Sequence, residues 1–116
     1  MTFTPDTDEA PVVFRAERSG KFKGDVTAVF PCDPADSNGY EMTCYAHIGQ
    51  HSGCSLGWYH TTRAAKPEEY ADLKKELESA PYGYRLKVYS RIQPFMREAL
   101  SEAVRKMAAR IDELTD

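Results

Sequence analysis

The sequence changes period partway along its length. Through roughly its first sixty residues apolar side chains recur every second position, and only afterwards every third or fourth. Period two marks strands and the longer period marks helices, so strands come first and helices late. That order favours an α+β fold over a doubly wound parallel sheet, which would interleave the two. The longest clean alternation runs from Tyr40 to Ile48. Tyr40, Met42, Cys44, Ala46 and Ile48 fall on one face, and Glu41, Thr43, Tyr45 and His47 on the other.

The other elements follow from the same reasoning. Val12, Phe14 and Ala16 alternate with Val13, Arg15 and Glu17. After the turn at Ser19-Gly20-Lys21, Val26, Ala28 and Phe30 form a second strand, and the two make a hairpin. Pro31 to Gly39 reads as a loop, and Gly49 to Gly53 breaks the pattern again. A fourth strand is predicted from Cys54 to Thr61, weakened by Gly57. Pro67 opens a helix with Glu68 and Glu69 at its positive end and a Tyr70, Leu73, Leu77 stripe. Tyr84 to Tyr89 gives a fifth strand. Pro94 starts a last helix with the stripe Met96, Leu100, Ala103, Val104, Met107, Ile111 and Leu114.

The expected architecture is β-β-β-β-α-β-α: a mainly antiparallel sheet of about five strands with two helices on one face. Residues 1–10 are expected to be a flexible acidic tail, and 11–116 a single domain. Two helices on one face leave the other face wet or covered by a partner. In-register neighbours of Cys44 and Leu86 would face the helices. The opposite face would then carry Tyr45, His47, Tyr59, Lys87 and Tyr89, with Arg85 beside them.

Composition excludes several classes. At 41% hydrophobic and 28% charged residues the chain is too apolar for disorder. No apolar run approaches the roughly 18 residues of a spanning helix, and the polar, acidic start lacks a signal-peptide pattern. A cytoplasmic protein with no membrane contact is expected. The three cysteines, Cys32, Cys44 and Cys54, are then expected to be reduced thiols. The net charge of −3 argues against non-specific DNA binding, although basic residues concentrate from Arg85 to Arg110.

The run Ala28-Val29-Phe30-Pro31, the segment Cys44-Tyr45-Ala46-His47-Ile48-Gly49-Gln50-His51, the stretch Pro67-Glu68-Glu69-Tyr70-Ala71-Asp72-Leu73 and the strand Tyr84-Arg85-Leu86-Lys87-Val88 together carry a resemblance. The chain resembles a group of short uncharacterised proteins from bacteriophages, prophages and mobile elements that share a Tyr-x-His-x-Gly-Gln-His segment. The resemblance spans roughly Val12 to Met96. It implies a context: an accessory protein that binds a host protein, with counter-defence inhibition as one purpose.

The residues from His47 to Cys54 are the densest polar cluster. His47, His51 and Cys54, with Cys32, Cys44 or His60, offer ligands that zinc accepts. On a continuous strand, however, His47 and His51 stand about 13 Å apart at ~3.3 Å per residue. There is no Cys-x-x-Cys pair, so no metal and no cofactor is expected. Gly49, Ser52 and Gly53 as a cradle for a nucleotide-like anion is a second reading. Cys54 or Cys32 as a histidine-activated nucleophile is a third, with Cys44 taken as an ordinary core residue. The expected binding residues are Tyr45, His47, Gln50, His51, Tyr59, Lys87 and Tyr89, and the expected partner is a host protein. A small ligand or metal bound by the 47–54 segment, or a nucleic acid bound through Arg85, Lys87 and Arg91, are the alternatives. The distal half of the last helix is a candidate for homodimer contact.

Overall fold

The computed structural model describes residues 9–46 and 51–115, with side chains to residue 110. Strand β1 spans Ala10–Glu17 and β2 Val26–Pro34, joined as the expected antiparallel hairpin. Strand β3 (Glu41–Tyr45) pairs antiparallel with β2, and β4 (His51–Ser55) antiparallel with β3. Helix α1 (Leu56–His60) leads into the short β5 (Thr62–Ala64). Helix α2 (Pro67–Glu78), β6 (Leu86–Tyr89) and helix α3 (Pro94–Thr115) complete the chain. The class is the expected α+β, with a mainly antiparallel sheet of six strands, five of them ordered β4-β3-β2-β1-β5. The remaining strand, β6, shares the outer edge of β1 with β5. It runs parallel along Ala10 to Val13, while β5 runs antiparallel along Arg15 to Glu17. Among the described residues no helix is long and apolar enough to cross a membrane.

The two long helices lie on opposite faces of the sheet, not on one. Register shows this directly. Phe14, Ala28 and Tyr45 stand opposite one another across three strands, and they pack with Leu73 and Leu77 of α2. The next rung, Val13, Val29 and Cys44, points the other way and packs with Tyr59 of α1 and Leu100 of α3. The physical cause is the central strands. From Val12 to Ala16, and from Ala28 to Cys32, every residue is buried. A strand apolar at both parities needs cover on both sides. Leu86 and Val88 therefore face α2, whereas Cys44 faces α3.

Residues 56–60, expected to continue a strand, form α1 instead. Ser55 is its N-cap, its hydroxyl accepting the Trp58 N–H at 3.1 Å. Between Phe30 and Pro34 the β2–β3 register shifts, where Pro31 and Pro34 cannot donate to the ladder. The turn after β2 is held by Asp36, whose Oδ1 accepts from Gly39 N at 2.8 Å and Tyr40 N at 3.1 Å. Gly39 has φ +77°, and a Cβ there would stand 3.2 Å from Val104 of α3, so glycine suits the site twice over.

Among the described residues one charged side chain is buried. Arg15 lies 4.2 Å above the Tyr59 ring and donates to Thr62 Oγ1 and Thr62 O, both at 2.8 Å. The Thr62 hydroxyl in turn donates to Tyr59 O at 2.6 Å. Satisfied in this way, the guanidinium ties β1 to β5 and α1 without leaving an orphaned donor.

Candidate functional site

Strands β3 and β4 carry two side-chain clusters on successive rungs. The rung Tyr45–His51 points to the α2 face and the rung Cys44–Ser52 to the α3 face. The clusters are therefore back to back on the same two strands.

On the α2 face, His51 is half-buried among four rings. Tyr45 lies 5.0 Å away, Tyr82 5.7 Å, Tyr84 6.0 Å and Phe30 6.1 Å, centroid to centroid. Tyr84 Oη is 3.1 Å from His51 Nε2. The Tyr45 hydroxyl donates to Glu76 Oε2 and lies 3.3 Å from Tyr82 Oη. Burial lowers the pKa of His51, against the opposing pull of the Asp33 carboxylate. Burial also raises Asp33, eased by its hydrogen bond to Thr43. The bond to Glu76, then that to Tyr82, lifts the Tyr45 phenol well above its usual value. The groups thus favour neutral imidazole and neutral phenol, each fixed by a partner. Such a network orients a strand end and offers hydrogen bonds at its rim.

On the α3 face, Cys44 Sγ lies 3.3 Å from Ser52 Oγ, and the Cys54 thiol donates to Met42 O at 3.6 Å. Above them opens a pocket of about 370 Å³, bounded by Glu17, Glu41, Ser52, Gly53, Ser55 and Trp58 among others. Trp58 Nε1 donates to Glu17 Oε1 at 3.0 Å, which sets the indole as one wall. The Glu41 carboxylate approaches Gly53 so closely that a Cβ there would lie 2.5 Å from Oε1. The described residues lining the pocket include two carboxylates and no Lys, Arg or His.

The neighbouring Cys54 thiol, with help from the Ser52 hydroxyl, lowers the Cys44 thiol from its usual value, although burial opposes it. The neighbouring Cys44 and burial push Cys54 far upward. Cys32 stands apart in β2, raised to about 11 by burial. Cys44 is the expected core residue, buried with Val13, Val29 and Leu100.

The expected binding set divides. Tyr45 and His51 meet, but Tyr45 is 1% exposed and lies beneath α2. Tyr59 is buried on the α3 face, where its hydroxyl accepts the Ile92 N–H at 3.1 Å and its ring carries Arg15. Tyr89, half-buried, packs edge-on against Phe95 at 5.7 Å, with Lys87 Nζ 5.9 Å from its ring. These residues do not form one exposed platform. His47 and Gln50 lie outside the described residues. Among the described residues no three His, Cys, Asp or Glu side chains are grouped as metal ligands would be.

Sequence reasoning missed Glu76, Tyr82, Tyr84, Glu41 and Trp58. Pairing the strands on either side of Gly49 would have set Tyr45 against His51 and Cys44 against Ser52. No comparable signal pointed to the side chains from α2 and the segment after it. Comparison with protein-family models, with curated proteins and with solved structures finds no match to this chain.

Proposed function

We propose that the protein is a small accessory protein, of phage or mobile-element type, that acts by binding a host protein. In this reading the anchor point is the acidic pocket beside Trp58, which receives a lysine or arginine side chain of the partner. The observation that carries it is the lining: Glu17, Glu41 and an indole face around about 370 Å³, with no base among the described lining residues. A cation entering such a pocket gains from two carboxylates and from the aromatic face. The latter contributes ~0.5–1 kcal/mol at an exposed site and ~2 kcal/mol when desolvated. An anchor side chain seated in a pocket is how interface energy commonly concentrates.

The same lining disfavours the nucleotide-like ligand, since two carboxylates repel phosphate. Burial of Tyr45 and Tyr59 removes the stacking platform that a single-stranded nucleic acid would use. The tyrosine-face interface is replaced by the pocket for the same reason.

Trp58 is the only tryptophan, so its indole is an unambiguous reporter. Short peptides with a central Arg, Lys or Glu are titrated while the Trp58 Nε1–H resonance and the emission are followed. The Arg and Lys peptides are expected to shift both saturably at roughly millimolar concentration, and the Glu peptide to shift neither. Glu41→Lys should abolish the shift. Equal response to all three peptides, or none to the basic pair, overturns the proposal.

A further inference from the structure

We propose that the partner's basic side chain arrives on an extended segment, which adds to the edge of β4 as a further antiparallel strand. The inference rests on the pocket reading above and names the form of partner that fits it: a strand carrying arginine or lysine opposite Ser52.

The open edge is the first observation. Strand β4 ends the strand order, and among the described residues nothing pairs with its outer side. The ladder fixes where its free groups point. Glu41 O accepts the Ala35 N–H at 3.0 Å, so Glu41 turns its backbone groups toward β2. By alternation Met42 and Cys44 turn theirs toward β4, and their register partners Cys54 and Ser52 turn back to meet them. His51 and Gly53 therefore present N–H and C=O outward. Among the described residues no backbone bond from a turn, loop or cap takes these groups up.

Composition is the second. Folded proteins normally blunt a free edge with Lys, other charges or Pro. The strands along the far edge conform, since β5 carries Arg63 and β6 carries Lys87. Strand β4 reads His-Ser-Gly-Cys-Ser, with no Pro and no Asp, Glu, Lys or Arg. Ser52 and Gly53 are exposed, and their small size leaves the backbone within reach of another strand.

The third is where the pocket lies. Ser52, Gly53, Cys54 and Ser55 all line it, so it runs along this strand. An antiparallel segment on the edge would pair one residue with Gly53 and another, two positions on, with His51. Each pair exchanges both of its N–H···O bonds. The residue between them stands opposite Ser52. Ser52 shares a rung with Cys44 and points to the α3 face, so the incoming side chain points that way too. It then lies beside Glu17, Glu41 and the Trp58 indole. Two carboxylates, with no base among the described lining residues, select a cation there. The long stem of Arg or Lys carries that charge over β4 into the pocket. Main-chain bonds supply general affinity in this mode, and the pocket supplies the choice of side chain.

The test uses the central-Arg peptide flanked by Thr and Val, and three versions N-methylated singly: on the arginine or on either neighbour. Each is titrated into the full chain while the Trp58 Nε1–H resonance and the exchange of the β4 amides are followed. The parent peptide should slow exchange at His51 and Gly53 and leave Ser52 and Cys54, already bonded to β3, unchanged. A methyl on either neighbour replaces an N–H aimed at β4 and should weaken binding about tenfold or more. A methyl on the arginine, whose N–H points away, should leave binding within about twofold. Equal binding by all four peptides overturns strand addition and leaves the pocket reading standing. A loss confined to the arginine version, as parallel pairing would give, overturns the proposal too. A parent peptide that does not bind brings down both readings. Protection of Gly53 that grows with protein concentration without peptide would put a second copy of the chain on the edge, and also overturns the proposal.

Discussion

Replacing Tyr45 separates a buried anchor from an exposed one. The ring is 1% exposed, lies 5.0 Å from His51 and 5.2 Å from Tyr82, and belongs to the cluster beneath α2 with Leu73 and Leu77. Its hydroxyl donates to Glu76. Tyr45→Phe removes only the hydroxyl. A hydrogen bond to a charged group is worth ~1.5–3 kcal/mol, and Glu76 is half-buried, so water recovers part of that. A loss of about 1–2 kcal/mol is expected. Tyr45→Ala also empties the ring's place, and deletion of a buried aromatic costs ~3–5 kcal/mol. The sum is about 4–7 kcal/mol, against a typical domain stability of ~5–15 kcal/mol. Urea unfolding followed by far-UV circular dichroism reads both. The alanine variant should retain little or no transition, and the phenylalanine variant should shift the midpoint with the slope unchanged. If alanine costs less than about 1 kcal/mol, or no more than phenylalanine, the tyrosine is not a core anchor and the assignment of α2 to that face is wrong.

Two further outcomes follow from particular contacts. Leu77→Ala and Leu100→Ala should each cost ~2–5 kcal/mol in urea unfolding, and the double variant should equal their sum within about 0.5 kcal/mol, because the two leucines lie on opposite faces. Glu69 accepts both prongs of Arg63, at 2.8 and 2.7 Å, and the Lys66 N–H at 2.8 Å. These bonds hold its carboxyl at about 2. A folded value below the unfolded one means a contribution present above the ordinary carboxyl range and lost as pH falls towards 2. Carboxyl titration by NMR should give that low midpoint in the native protein and a raised one in Arg63→Gln; an unchanged midpoint would refute the pairing.

The elements with a single period were legible. The β1–β2 hairpin, α2 from Pro67 and α3 from Pro94 stand where turn residues and apolar spacing placed them. The two-sided cover was also written in the chain, as the uninterrupted runs Val12-Val13-Phe14 and Ala28-Val29-Phe30. Reading each as an alternation, with Val13 and Arg15 set on a second face, hid it. Arg15 is buried because Thr62 and the Tyr59 ring receive its charge, which no local pattern reveals. Gly57 was a sign of weakness in a strand. A cap at Ser55 turned that stretch into a helix, and a five-residue helix is too short to show a period. The candidate site was half legible: Tyr45 and His51 stood in the right segment, but the pocket needs β1, β3, β4 and α1 together.

Why chemistry gathers at β3 and β4 follows from how the sheet is covered. Both long helices contact β2, the middle of the strand order. A single helix per face cannot extend its cover equally to every strand, so the apolar layer thins away from β2. There the same alternation that buries side chains at the centre delivers polar ones to the margin. Tyr45 and Cys44 still reach the two cores, while His51 and Ser52, one strand further out, face partly into solvent. A half-covered position can hold a polar group without the full cost of desolvation, and can still lend it a shifted pKa. His51 is such a position, lowered by burial and pulled the other way by Asp33.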